Sequence, residues 1–396
     1  GIKLKPNMII HQFCLNDVVQ RFSVLFEYGG DNVFLGIDTR NFIHGFHGWM
    51  ITHSRAYEMI IRYLINFQKN KELVLNYYKE LDMSSLDRIN QVLRKYTDEN
   101  YHFRGMHPFY ELAGSDSVAE IFWKPFRRAI KPIQRRQDIF FAGLNDVDNK
   151  TEWVCSMGHL MGLFDNDWLG IKANHKMVFL RYAEFNRIAK GKIAETALFC
   201  DIISVMKQVG VNPLPLQTGA EFITPGPRTH DGLLFDEKDH KESQKTLDLV
   251  NQMRIDLTGS DLFHSSKDEL RKTWLNEMIW FGPSGIGATY TIDRYEEQHQ
   301  GPFQEGLDNT KFHGHLCRIA EDKYAGWFGW PNLTMNPSGG FLGLPKTEKT
   351  VEMRVVDIYR RDGEKLAENW IFIDLLYFLM QQGVDVLGRT EKILRH

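Results

Sequence analysis

Hydrophobic and polar positions divide the chain into two similar stretches, each with helical spacing first and strand-like runs afterwards. Apolar residues at intervals of three and four predict helices over 71–81, 85–96 and 118–130, and again over 245–253, 268–278 and 290–300. Aromatic and β-branched runs predict strands over 138–144, 152–163, 178–187, 312–320, 324–330, 350–360 and 366–373. Helices followed by antiparallel strands indicate an α+β fold, in which helices cover one face of a curved sheet.

The two stretches also repeat in sequence. Residues 191–211 can be laid without a gap on the segment that lies 173 positions later (374 − 201), so that Asp201 aligns with Asp374. The same offset pairs Arg181 with Arg354 (354 − 181 = 173). One constant offset over this length predicts that the chain contains two copies of one fold.

A segment rich in Pro, Gly and Thr lies between the copies and has no regular apolar pattern. It is interpreted as an ordered linker between two domains. The predicted divisions are an N-terminal extension of unknown role (1–68), a first domain (69–211), the linker (212–240) and a second domain (241–396).

Composition narrows the class of protein. With 43% hydrophobic residues the chain can bury a core, and 48 Lys plus Arg against 51 Asp plus Glu, without a dense basic block, argue against nucleic acid as a partner. The four cysteines (Cys14, Cys155, Cys200 and Cys317) are far apart, which favours a reducing cytoplasm. No apolar run is long enough for a membrane span. A cytoplasmic protein is expected, and a homo-oligomer is left open.

Several short motifs in the second copy carry a family resemblance. They are 341–345, 353–360, 362–363, 365–370, Asp374 and 382–383. Together they resemble the C-terminal signature of SnoaL-like polyketide cyclases, and the first copy repeats the pattern more weakly. That family belongs to the nuclear transport factor 2-like superfamily, so the resemblance implies two tandem cone-shaped α+β domains, each with helices packed on a curved, mainly antiparallel sheet.

The resemblance implies acid/base catalysis without metal or organic cofactor: an aldol cyclisation or isomerisation of a small hydrophobic carbonyl compound. Asp374 matches the general acid/base of the family, and Asp201 is its repeat partner. A carboxylate in an apolar cone has its pKa raised, which suits it to remove a proton beside a carbonyl group. Copy two has Asn369 and Trp370 where copy one has Thr196 and an alanine, so copy two is the better enzyme candidate.

Each of these assignments has a plainer alternative. An Asp between a strand and a helix is often only an N-cap, and this applies to both Asp201 and Asp374. Arg354, like Arg181, could bind an enolate, or it could pair with a nearby carboxylate such as Glu184 or Asp357.

His313 and His315 stand two positions apart, which on a strand places both imidazoles on one face. They could exchange protons with Asp374 or form ordinary hydrogen bonds within the sheet. Zinc would need at least a third ligand, and no HExxH motif or cysteine cluster supplies one. No metal site is predicted.

Aromatic residues of copy two could hold a hydrophobic substrate or simply form core. The predicted substrate-binding residues are Trp280, Trp327, Trp330, Trp370, Asn369 and Tyr359. The competing hypothesis is a noncatalytic protein, in which the cones bind a small molecule or the tandem pair has a structural role.

Overall fold

The computed structural model describes residues 21–28, 31–38, 67–236, 238–258 and 267–394. The chain divides into two compact units, residues 1–65 and residues 66–396. In the first unit, strands β1 (Arg21–Tyr28) and β2 (Asp31–Asp38) form an antiparallel pair. Most of the predicted N-terminal extension lies outside the described residues, as does Cys14.

Domain 1 is built from helices followed by strands, as its sequence pattern predicts. It begins with α1 (Gln68–Met83), a 3-10 turn (Leu86–Arg88) and α2 (Ile89–Tyr96), whose apolar stripe at intervals of three and four is buried. The remaining elements are β3 (Thr97–Gly105), β4 (Tyr110–Ala113), α3 (Ser115–Val118), a π-helical turn (Ala119–Trp123), α4 (Lys124–Ala129), β5 (Ile130–Leu144), β6 (Glu152–Phe164), β7 (Met177–Ala189), β8 (Lys192–Cys200) and α5 (Ile202–Gln208).

Domain 2 repeats this order. Its helical half consists of α6 (His240–Thr258), α7 (Lys267–Thr273), β9 (Trp274–Phe281), β10 (Ala288–Tyr290), α8 (Thr291–Tyr295), a π-helical turn (Glu296–Gln300) and α9 (Gly301–Gly306). Its strand half consists of β11 (Leu307–Phe312), β12 (Cys317–Glu321), β13 (Tyr324–Pro337), a 3-10 turn (Phe341–Gly343), β14 (Val351–Asp362), β15 (Lys365–Ile373), α10 (Leu375–Gln381) and α11 (Val386–Leu394). The π-helical turns stand 177 positions apart (296 − 119), so even this irregular feature is shared.

The two sheets have the same topology. In domain 1 the strand order is β4-β3-β8-β7-β6-β5, and in domain 2 it is β10-β9-β15-β14-β13-β11, with β12 also paired to β13. Most neighbours are antiparallel, whereas β3 pairs with β8 and β9 pairs with β15 in parallel. Both domains are therefore α+β, and the predicted fold class is confirmed.

Each sheet is buried on both faces. One face packs against the helices of its own domain, and the other packs against the sheet of the other domain. On β14, Val356 and Ile358 join this inter-domain core, together with Ala183 and Phe185 of β7 and further aromatic residues from both copies. Because side chains alternate across a strand, residues between these positions point into their own domain.

In the described residues, the segment between the domains contacts both of them. It pairs with domain 1 through Phe140 and Leu233 and with domain 2 through Ala220 and Ala288. The Nε1–H of Trp370 donates to the carbonyl oxygen of Pro225 at 2.9 Å. The domain limits at residues 211 and 240 remain predictions.

Two local predictions are wrong. The helix expected over 268–278 ends at Thr273, because Trp274–Phe281 is strand β9 and pairs with β15. His313 and His315 do not share a strand face, because they lie in the connection between β11 and β12, where Gly314 adopts a φ of +99°. In the described part of the chain, no helix combines the length and apolar composition needed to cross a membrane.

Candidate functional site

A cavity of about 130 Å³ lies inside domain 2, between its helices and the inner face of its sheet. Side chains alternate between the two faces of β14 and β15, and this alternation determines where the cavity lies. Val355, Tyr359 and Ile371 point into the cavity, while their neighbours join the inter-domain core. Most of the wall is apolar or aromatic: Met253, Leu257, Leu270, Trp274, Trp280, Tyr295, Phe303, Phe312, Trp327, Leu333, Met353, Val355, Tyr359, Ile371 and Ile373.

Among the described residues, one carboxyl group faces this apolar space. Asp357 is 4% exposed and lines the cavity. Burial raises the pKa of Asp357 to about 7, and hydrogen bonds from Asn369 and Tyr359 oppose the rise only in part. The Nδ2 of Asn369 donates to Oδ1 of Asp357 at 2.9 Å. No Lys or Arg of the described ranges forms an ion pair with Asp357, so the carboxyl can change protonation near neutral pH.

Two uncharged imidazoles lie in the same wall. His299 stacks on Trp280 with ring centroids 3.9 Å apart, and burial lowers the pKa of His299 to about 3. His315 stacks on Trp327 at 4.0 Å, and burial, assisted by Arg318, lowers its pKa well below the usual value. Nδ1 of His315 lies 3.2 Å from Nη1 of Arg318 and accepts from it, so the ring proton is on Nε2. Both rings are neutral at pH 7.

The structure brings five of the predicted residues together at this cavity: His315, Trp280, Trp327, Asn369 and Tyr359. The other six do not line it. They are Asp374, Asp201, Arg354, His313, Trp330 and Trp370. Sequence reasoning considered Asp357 only as a partner for Arg354 and missed His299. The signal that could have identified Asp357 was an acid at an inward position of β14, between Val355 and Tyr359.

Asp374 caps helix α10 and joins the two domains. Its Oδ1 accepts the backbone N–H of Tyr377 at 3.1 Å, which is the N-cap bond, and its Oδ2 accepts the N–H of His107 from domain 1 at 3.0 Å. Burial raises the pKa of Asp374 to about 6. The N-cap alternative is therefore what the geometry shows for this carboxyl.

Asp201 makes the same two kinds of contact from the other copy. It accepts the N–H of Ser204 at 3.0 Å as an N-cap and the N–H of Ser284 from domain 2 at 2.9 Å. His107 and Ser284 are 177 positions apart (284 − 107), as are the two π-helical turns. The two aspartates thus form a pseudo-symmetric pair of bridges between the domains.

The two aligned arginines also belong to this interface. The guanidinium of Arg354 lies 3.9 Å from the ring centroid of Trp330 and 3.8 Å from that of Tyr377, and its Nη1 is 3.8 Å from Oδ2 of Asp374. Arg181 donates to the carbonyl oxygen of Phe281 at 3.1 Å. Neither arginine pairs with Glu184 or Asp357. Of the remaining predicted residues, His313 is exposed and its Nε2 lies 2.7 Å from Oγ1 of Thr334, within hydrogen-bond distance.

The equivalent space in domain 1 is occupied by side chains. Arg135 pairs across the sheet with Leu160, and Phe312 pairs with Leu333, 173 positions later (333 − 160), so Arg135 stands where domain 2 has Phe312. The guanidinium of Arg135 lies 3.9 Å from the ring centroid of Tyr78 and contacts two acids, one partly buried and one buried. These are Asp82, at 2.9 Å, and Glu184, at 3.4 Å. Glu184 is the repeat partner of Asp357 (357 − 184 = 173).

Comparison with known proteins agrees with this architecture. The family model described as SnoaL-like polyketide cyclase matches residues 73–209. The match falls on domain 1, although the sequence signature is clearer in domain 2. No curated protein matches the chain.

Solved structures similar to the chain correspond to about one domain of it. A candidate SnoaL-like polyketide cyclase from Jannaschia sp. CCS1 is 19% identical over 38% of this chain and 96% of its own, with a TM-score of 0.30. A nuclear transport factor 2-like protein from Burkholderia xenovorans LB400 is 13% identical over 35% and 96%, with a TM-score of 0.28. A candidate polyketide cyclase from Streptomyces antibioticus is 15% identical over 35% and 99%, with a TM-score of 0.27.

The topology of the two sheets and the family match lead to one conclusion. The chain contains two tandem α+β domains of one topology, and residues 73–209 match the family model described as SnoaL-like polyketide cyclase, which is the resemblance that the sequence predicts.

Proposed function

We propose that domain 2 catalyses proton transfer at a carbon beside the carbonyl group of a small hydrophobic compound, with Asp357 as the base. The observation that carries the proposal is a buried carboxyl on an apolar cavity wall, with its pKa raised to about 7. A base is most effective when its pKa lies near the working pH. The family resemblance supports a substrate of the polyketide type, in which an activated carbon lies beside a carbonyl.

The proposed reaction uses only side chains that line the cavity of domain 2. The Asp357 carboxylate removes a proton from the carbon, the C–H electron pair forms a C=C bond, and the carbonyl oxygen becomes an enolate oxygen. Return of the proton from Asp357 to a different carbon gives an isomer. Attack of the enolate carbon on a second carbonyl of the same molecule instead closes a ring, and the alkoxide oxygen that forms takes the proton from Asp357. A neutral donor such as His315 can stabilise the enolate without protonating it fully.

The test uses cyclohexanone in D₂O, with NMR detection of deuterium at the carbons beside the carbonyl. Wild-type protein is expected to accelerate the exchange, and Asp357→Asn is expected to lower the rate at least ~100-fold. The rate should rise with pH and level off above about pH 7, because the carboxylate is the active form.

Asp374→Asn is the matched control. Asn is also a good N-cap, so this variant removes the carboxylate that the sequence favoured while its Oδ1 can still accept the N–H of Tyr377. Its amide leaves the N–H of His107 without an acceptor, so circular dichroism must first show that the variant is folded. Exchange that survives Asp357→Asn and is lost in Asp374→Asn would move the catalytic role to Asp374. Binding of cyclohexanone without any exchange by the wild type would support the noncatalytic binding alternative instead.

A further inference from the structure

Asn332 is a buried side chain that is not among the site residues predicted from the sequence. It lies on β13, where the register with β14 shifts between Gly329 and Leu333, so the strand bulges beside the cavity. Asn332 is 1% exposed and lines the cavity. Gly329 makes room for it, since a Cβ there would stand 2.4 Å from Cγ of Asn332.

In the amide of Asn332, the oxygen has a hydrogen-bond partner and the nitrogen has none among the described residues. Its Oδ1 accepts the N–H of Val355 at 2.9 Å, which fixes the orientation of the amide. Its Nδ2 is buried and has no hydrogen-bond acceptor within the described residues. A buried amide N–H without an acceptor is unfavourable and uncommon, and an oxygen atom of a ligand in the cavity would satisfy it.

This donor lies close to the proposed base. Val355, which holds the Asn332 amide, and Asp357 point to the same side of β14, and two residues along a strand span about 7 Å. A carbonyl group and the carbon next to it fit between two such groups. The donor could therefore hold the oxygen while the base reaches the adjacent C–H bond.

The size of the cavity limits the ligand. An apolar cavity of about 150 Å³ holds benzene, so the cavity of about 130 Å³ found here accommodates a single six-membered ring. Its stacked walls, Trp280 with His299 and Trp327 with His315, are flat and suit a ring.

We propose that the cavity takes an uncharged compound with one ring, whose carbonyl oxygen accepts a hydrogen bond from Nδ2 of Asn332. This proposal rests on the proposed function, because it assigns the substrate class and an oxygen-holding residue to the same site. The hydrogen bond costs no reorganisation at the moment of reaction, and it becomes stronger as the oxygen gains negative charge.

The test compares two ligands of one shape, cyclohexanone and methylenecyclohexane, which carry O and CH₂ at the same position. Their dissociation constants are measured by quenching of tryptophan fluorescence in an Asp357→Asn background, where no reaction interferes. In Asn332→Leu the ratio of the two constants is expected to move at least ~10-fold in favour of the hydrocarbon. Using a ratio within one variant cancels any general loosening of the cavity.

Asn332→Asp is a second test, because it keeps an acceptor for the Val355 N–H but removes the amide donor. At pH 8 it should also shift the ratio of the two dissociation constants in favour of methylenecyclohexane. Circular dichroism confirms that both variants are folded. An unchanged ratio in both would overturn the assignment of Asn332. The two-ring ketone 1-decalone should bind at least ~10-fold more weakly than cyclohexanone, and equal or tighter binding would overturn the size limit.

The two proposals can fail separately. A shifted ratio together with no deuterium exchange in the wild type leaves the oxygen-holding role in place and ends the catalytic proposal. Deuterium exchange that depends on Asp357, together with an unchanged ratio of dissociation constants, supports the catalytic proposal and ends the oxygen-holding role of Asn332.

Discussion

At the scale of single residues, Asp357 is the group on which the proposed chemistry depends, and it is held at a cost to stability. Its carboxyl is buried among aromatic rings with Asn369 and Tyr359 as hydrogen-bond partners and no cationic one in the described part of the chain. Ionisation there is unfavourable, which is the property that makes it a base near neutral pH. The same property should appear in the pH dependence of folding.

Asp357→Asn is expected to unfold less readily than the wild type above pH 7. In an unfolded chain Asp titrates near pH 4, whereas burial raises the pKa of Asp357 to about 7 in the folded protein. Because the folded-state pKa is the higher one, the contribution of Asp357 to stability is largest below about pH 4 and is lost as the pH rises through 7, and this loss amounts to about 4 kcal/mol. Urea unfolding of both proteins at pH 4.5, 6 and 8 measures this, and a difference independent of pH would contradict it.

The sequence predicted part of this site. Trp280, Trp327, Asn369 and Tyr359 line the cavity from strands, and His315 lines it from the connection between β11 and β12. The choice of carboxyl could not be settled from one sequence, because Asp357 and Asp374 both lie in apolar surroundings. In the structure, Asp357 lines the cavity, whereas Asp374 accepts two backbone N–H groups, one of them in the other domain.

At the scale of elements, the junction between the last strand and the helix after it serves as a bridge in both copies. The N-cap aspartate begins α5 or α10 and also receives an N–H from the facing domain. A single side chain therefore fixes both a helix end and an inter-domain contact. This explains why the repeat is most evident around Asp201 and Asp374.

Asp374→Ala is expected to lower the free energy of unfolding by about 2–4 kcal/mol, since it removes a cap and leaves a buried N–H of His107 unpaired. Asp201→Ala is the matched variant from the other copy and should cost a similar amount. Urea unfolding at pH 7.5 measures both losses. Losses below about 0.5 kcal/mol in both variants would show that the bridges contribute little.

The element predicted least well was β9. Residues 268–278 have helical spacing, but Trp274–Phe281 pairs in parallel with β15, and this pairing outweighs local preference. The sequence predicted β15 as a strand over 366–373 but no strand for β8, its repeat, although the two begin and end 173 positions apart (365 − 192). A pairing between strands distant in sequence leaves no periodicity that a single segment could show.

At the scale of the whole molecule, a buried ion pair ties domain 1, the linker and domain 2 together. Nζ of Lys71 lies 2.5 Å from Oε1 of Glu321 and donates to the carbonyl oxygens of Leu234 and Asp236. Oε2 of Glu321 accepts the N–H of Ala142 at 2.8 Å. Burial raises the pKa of Glu321, and Lys71 opposes the rise.

Lys71→Met is expected to destabilise the protein by about 3–5 kcal/mol at pH 8, because it leaves the Glu321 carboxylate buried without its cation. The double variant Lys71→Met/Glu321→Gln should recover much of that loss, since no buried charge remains. Thermal and urea unfolding of the three proteins give the comparison. A double variant no more stable than Lys71→Met would mean that packing, rather than the unpaired charge, causes the loss.

The side chains that fill domain 1 have a consequence for binding stoichiometry. Arg135, held between Tyr78 and its two acids, occupies the space that domain 2 leaves open beside Phe312. Titration with cyclohexanone should therefore saturate at one equivalent per chain, along a simple hyperbola, and isothermal calorimetry would show it. Two equivalents would mean that domain 1 can open. One equivalent would mean that the two copies have different roles: domain 2 binds the ligand, and domain 1 has only a structural role.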